Sequence, residues 1–233
     1  MIHLPRTPTQ TSAAELAQGL RSGRVFRLIN FHATPSAKRA HYQREIAACA
    51  GRFSSLSATA LHRVMSGGEM PEKPMLLPIL FEGFRDNYDV ILPILEEHGF
   101  KGWFFVPSHF LNVPTRHQRI FAARHALDYG PDEYVGDRIA LNWTELRDAH
   151  ARGHLVACHS RNHTALHPDT PDDVLHDEIV VAKEELEQGL GAAVDTFCYL
   201  YGAEYGLNPR ADALLMRSSF RYLFSNFRLQ KLQ

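Results

Sequence analysis

Short apolar runs alternate along the chain with capped helical stretches, and no other feature of the sequence constrains its fold as strongly. The runs are Val25 to Phe31, Leu76 to Phe81, Gly102 to Val106, Leu155 to Cys158, Thr196 to Leu200 and Phe220 to Phe224. Each is apolar enough to be covered on both faces, which is how strands of a mostly parallel sheet read. The expectation is therefore α/β. Helix signals fill the gaps. Thr170 and Pro171 read as an N-cap and first-turn pair, followed by an apolar stripe of Leu175, Ile179, Ala182 and Leu186 and a stop at Gly189 and Gly191. Asn142 with Glu145 reads as a capping box, and Asn87 to His98 as a helix ending at Gly99.

Six runs in 233 residues, with no repeat and no low-complexity linker, point to a single domain spanning residues 1–233. Lys and Arg number 25 against 26 Asp and Glu, so no cationic excess is available to neutralise phosphates, and nucleic acid is not expected as a partner. The three cysteines, Cys49, Cys158 and Cys198, form no C-x-x-C pair and suit a reducing compartment. With no apolar leader in Met1 to Gln10, the expected location is cytoplasmic. No membrane span is expected, because Pro78 and Pro93 interrupt the longest apolar stretches well short of the ~18 residues required. Oligomeric state has no signature in the sequence.

Histidine is over-used, at 14 residues, and at that density about one H-x-x-x-H pair arises by chance. Three occur: His150 with His154, His159 with His163, and His163 with His167. Context separates them. His150 and His154 straddle a helix end and read as surface residues, and His167 beside Pro168 reads as a loop residue or a support for its neighbours. His159 directly follows an apolar strand, placing it and His163 at the carboxyl end of the sheet, where α/β folds build their sites. Glu82 holds the equivalent position after Leu76 to Phe81. Two neutral imidazoles and one carboxylate form a donor set for a divalent ion, zinc first, with one position left for water. Phe81, Phe84, Trp103, Tyr199 and Tyr201 are aromatic at or near strand ends and read chiefly as core.

The segments Ile79-Leu80-Phe81-Glu82-Gly83-Phe84-Arg85-Asp86-Asn87-Tyr88, Gly102-Trp103-Phe104-Phe105-Val106-Pro107, His159-Ser160-Arg161-Asn162-His163 and Leu200-Tyr201-Gly202 resemble, in order and spacing, the motifs of the polysaccharide deacetylase family, carbohydrate esterase family 4. The likeness runs from about Phe26 to Leu223. It implies a distorted (β/α) barrel of about seven strands, possibly incomplete, with the site at the strands' carboxyl ends. It also implies hydrolytic removal of an N-acetyl or related acyl group from a saccharide. Glu82, His159 and His163 would hold a divalent ion, zinc or alternatively cobalt or nickel, and the backbone N–H of Tyr201 would stabilise the oxyanion.

Departures from the family pattern are concentrated in the catalytic parts. Aligned without a gap, the family's T-F-D-D-G-Y motif places its base on Phe81 and its metal-binding aspartate on Glu82; an alignment with a one-residue gap changes these assignments. The arginine that orients that base falls on Cys198, and the following proline on Leu200. Losing base and arginine together is self-consistent, because either alone would leave an unpaired buried charge. The family's late histidine, its general acid, is not evident before Gln233, and His32 at the end of the first strand is the best-placed substitute. Two readings stay open: a divergent metal-dependent deacetylase, and a catalytically silent barrel that binds a saccharide or a protein partner.

Overall fold

The computed structural model describes residues 26–69, 72–225 and 229–231. Val25 and the segment Met1 to Gln10 lie outside these residues. The described strands are β1 (Phe26–Phe31), β2 (Ser54–Ser55), β3 (Met75–Phe81), β4 (Trp103–Val106), β5 (Leu155–Cys158), β6 (Thr196–Cys198), β7 (Tyr222–Phe224) and β8 (Leu229–Lys231). They form one sheet in the order β1-β3-β4-β5-β6-β7-β8, with β2 beside the start of β3. Every pairing is parallel except β7 with β8. Curled with helices packed outside, the sheet is an incomplete (β/α) barrel whose ends, β1 and β8, do not pair with each other among the described residues.

Side chains alternate across a strand, and the two faces here belong to two different cores. Leu76, Leu80, Phe104, Val106, Val156, Cys158, Phe197 and Leu223 face the helices and pack with Ile91, Leu95, Leu146, Leu186 and Leu215. Leu77, Ile79, Trp103, Phe105, Ala157, Cys198, Tyr222 and Phe224 fill the inner face with Leu56 and Leu61, and partly buried Phe81 packs against them. Continued upward, that inner row leads from Ile79 to Phe81 and from Ala157 to His159, so residues just past the strand ends cap the barrel interior.

Local chemistry explains most element boundaries. The capping box is present: the Asn142 side chain accepts from the Glu145 N–H and Glu145 accepts from the Asn142 N–H, starting the helix Trp143–Ala151. The long helix predicted after Thr170 begins at Asp172 with Pro171 as its cap, passes through a π-helical turn at Asp177–Val181 and runs to Leu190. Gly191, at φ 73°, ends it in the left-handed conformation open to glycine. Gly189 is not a stop but a contact: a Cβ there would lie 2.4 Å from the Trp143 ring.

The segment Arg138 to Leu141 contributes a single bridge, Ala140 to Phe84. One expectation needs correction. His154 is not a surface residue: it is 1% exposed, its Nδ1 accepts from the Gly102 N–H at 2.8 Å, and Nε2 lies 3.0 Å from Glu96. Among the described residues no helix is long and apolar enough to cross a membrane.

Candidate active site

Glu82, the first residue past β3, is 3% exposed, and its N–H extends the ladder to the Phe105 carbonyl at 2.8 Å. Its φ of 72°, followed by 69° at Gly83, turns the chain sharply off the strand end. Seven non-glycine residues have positive φ among those described, and four of them are Glu82, Ser160, His163 and Tyr201. Each such conformation costs roughly 1–3 kcal/mol and persists only where surroundings enforce it. Backbone strain is thus concentrated at the carboxyl ends of β3, β5 and β6.

The two histidines are oriented through their backs. His159, directly after β5, continues the sheet by donating its N–H to the Val106 carbonyl at 3.0 Å. Its Nδ1 lies 3.1 Å from the Cys198 carbonyl, and His163 Nδ1 lies 2.8 Å from the His125 carbonyl. A carbonyl only accepts, so each Nδ1 carries a proton and each Nε2 presents a lone pair. Burial holds both imidazoles toward the neutral form; it pushes His159, with added repulsion from His163, down to about 3, and His163 also below the usual histidine range. The rings stand 5.1 Å apart between centroids.

Glu82 faces His163. Its Oε1 is 3.9 Å from His163 Nε2 and 2.8 Å from His32 Nδ1, while its Oε2 is buried without a partner. An orphaned buried carboxylate oxygen is costly unless something supplies positive charge. Two ligands of one tetrahedral ion stand about 3.4 Å apart, close to the 3.9 Å seen. The donor set therefore fits a divalent cation. Among the described residues, however, no three His, Cys, Asp or Glu side chains are already gathered as a cage, and Glu82 is turned toward His32.

His32 is mounted on the inner-face aromatic. Its side chain is 55% exposed and stacks on Phe81 at 5.0 Å and 14° between planes, while Phe81 also meets His159 at 5.3 Å. The hydrogen bond to Glu82 raises its basicity above that of a free imidazole, against a smaller opposing effect of burial. Behind it, Asn87 donates to the His32 carbonyl at 2.8 Å. Tyr201 lies on the other side, 64% exposed, its ring 5.6 Å from His163 and its hydroxyl 3.3 Å from His163 Nδ1. Among the described residues nothing accepts from the Tyr201 N–H. Of the remaining aromatics, Phe84, Trp103 and Tyr199 are buried core.

Sequence reasoning missed Glu178, which is 3% exposed and bonded entirely to the Ser160–His163 loop. A signal existed: it lies three residues after Leu175 and four before Ala182, so a carboxylate interrupts the apolar stripe. A hollow of about 760 Å³ elsewhere, lined by Lys183, Glu187, Asp195 and Arg221 among others, includes none of the site residues.

Residues 74–215, more than half of the chain, match the family model of polysaccharide deacetylases. The chain belongs to the polysaccharide deacetylase family. No curated protein matches it. Solved structures similar to it include the Streptococcus pyogenes deacetylase PplD in complex with acetate, at 16% identity and TM-score 0.62, over 84% of this chain and 79% of that one. IcaB from Ammonifex degensii follows at 15% and 0.61, over 86% and 83%. The deacetylase domain of BpsB from Bordetella bronchiseptica is similar at 13% and 0.60, over 87% of each. At these identities the likeness is one of fold, and it matches the incomplete barrel described above. Membership of the polysaccharide deacetylase family supports a carbohydrate deacetylase, a hydrolase with a saccharide substrate.

Proposed function

We propose that this polysaccharide deacetylase removes an N-acetyl or related acyl group from a saccharide at the site formed by Glu82, His159, His163, His32 and Tyr201. One observation carries the reading: both histidines are fixed through Nδ1 to backbone carbonyls, and the free Nε2 of His163 stands 3.9 Å from a buried Glu82 whose Oε2 has no partner. Glu82, His159 and His163 would hold a divalent ion, zinc by the character of the donors, with cobalt or nickel as substitutes. When bound, such an ion lowers the pKa of water toward about 7 and polarises an acyl carbonyl.

The other steps fall to the chain itself. Tyr201, held at φ 51° at the strand end, offers its N–H to the oxyanion that develops at the acyl carbon. His32, bonded through Nδ1 to Glu82 and open to solvent on its other side, takes a proton from the attacking water and returns one to the sugar nitrogen. Phe81 and Phe105 keep the floor of the site dry beneath these groups.

A second reading rests on the same floor. Phe81 and Cys198 occupy the places of the family's base and its orienting arginine, and both lie in the apolar inner core. If His32 does not replace the base, the barrel binds a saccharide without cleaving it. A release assay on acetylated oligosaccharides, with and without added zinc, cobalt or nickel, separates the two. Metal-dependent acetate release supports the first reading, and saccharide binding without release under every metal supports the second.

A further inference from the structure

The loop Ser160–His163 packs two left-handed residues, Ser160 at φ 63° and His163 at φ 58°, into four positions. Between them the N–H groups of Arg161 and Asn162 point the same way, and no backbone carbonyl accepts them. Both donate to one oxygen of Glu178, at 2.9 and 2.8 Å, while its second oxygen accepts from the Asn162 side chain at 2.8 Å. Every bond this buried carboxylate makes in the structure goes to the loop that carries the histidines. The π-helical turn Asp177–Val181 supplies it, at a place where wide helical turns often serve a site. Around this contact, Arg161 reaches Asp177 at 2.8 Å and Glu185 at 2.9 Å, and Asn162 Oδ1 accepts from His109 at 2.7 Å.

We propose that Glu178 is a positioning residue for the metal site: it enforces the strained loop turn that seats His163 against the His125 carbonyl and keeps its Nε2 turned inward. This rests on the reading of Glu82, His159 and His163 as the ion's ligands. Glu178 touches neither ion nor substrate; it acts on the chain between the two histidines. Supports of ligand orientation typically contribute 10–100-fold to metal affinity.

The test uses the full chain. Zinc and cobalt affinity is measured by calorimetry with a competing chelator, for wild type, Glu178→Ala, Glu178→Gln and His163→Ala, alongside the cobalt absorption spectrum and circular dichroism. The expected result is a 10–100-fold loss of affinity and an altered cobalt spectrum in Glu178→Ala, with part of the loss recovered in Glu178→Gln, whose amide oxygen still accepts both N–H groups. Ring nitrogen NMR of the metal-free protein gives an independent readout: His163 is protonated at Nδ1 in wild type and loses that preference in Glu178→Ala. Folded Glu178→Ala with wild-type affinity, spectrum and His163 tautomer overturns the proposal while a crippled His163→Ala leaves the ligand assignment standing. Wild-type metal binding in His163→Ala overturns the ligand assignment itself. If Glu178→Ala does not fold, Glu178→Gln and Asn162→Ala decide: full affinity and an unchanged tautomer in both overturn the proposal.

Discussion

His32 Nδ1 lies 2.8 Å from Glu82 Oε1, joining the ends of β1 and β3 across 50 positions of sequence. The bond places an exposed imidazole against a buried carboxylate that also faces His163. With apolar Phe81 stacked against it, this imidazole is the proton carrier that the proposed reaction uses.

Replacing His32 by Gln is therefore expected to lower kcat for acetate release by about 10²–10⁴, the usual contribution of a general acid or base. Because the side chain is more than half exposed, thermal stability and bound metal should change little. Steady-state kinetics with elemental analysis of the same preparations checks this. Unchanged kcat would remove His32 from the mechanism.

Phe81 is a packing residue at the position where the motif resemblance puts the family's base. Phe81→Asp removes an aromatic from the inner core and sets a carboxylate against the apolar cluster that includes Cys198, at an expected cost of about 2–4 kcal/mol. Adding Cys198→Arg supplies the opposite charge, so the double variant should be less destabilised than the sum of the single ones by at least ~1 kcal/mol. Urea unfolding of the four proteins measures that coupling. The double variant should also release acetate faster than the parent.

Asp86 sits 3% exposed beside Thr34 and Asn87, and burial raises its pKa from 3.8 to about 6. The native state thus holds this proton more tightly than the unfolded chain does. The stability linked to it is present below pH 4 and is lost as pH rises through about 6. Asp86→Asn removes the penalty, so the variant should be more stable than the parent at pH 7.5, by up to about 3 kcal/mol, and gain nothing at pH 3.5. Denaturation midpoints at the two pH values test the sign.

Gly189 sets two effects against each other. Alanine is the better helix former by about 1 kcal/mol, yet its Cβ would stand 2.4 Å from the Trp143 ring, which also bonds Asn112 at 2.9 Å. Overpacking at about 1–3 kcal/mol wins, so Gly189→Ala should lower Tm and alter the near-ultraviolet dichroism of Trp143.

Much of the fold is legible in the sequence because the strands are apolar on both faces and the helices carry their own caps. Leu155–Cys158 is read to the residue, and the Asn142–Glu145 box is present as expected. What escapes is set by contacts distant in sequence. β2 is only two residues long and takes its identity from pairing with β3. His154 looks exposed from its neighbours but is buried by the Gly102 N–H and Glu96. In the site, strand-end position alone singles out Glu82 and His159. The carbonyls that orient His159 and His163, and the Glu178 contact to their loop, come from segments 16 to 39 positions away.

The central claim is that Glu82, His159 and His163 share one divalent ion. Elemental analysis of protein purified without chelators, followed by zinc titration of wild type and of Glu82→Ala, His159→Ala and His163→Ala, tests it most directly. About one equivalent of zinc in the wild type, with affinity reduced at least ~10-fold in each variant, is the predicted result. A wild type that carries no metal and takes none up, or variants that bind zinc as tightly as the wild type, would contradict it.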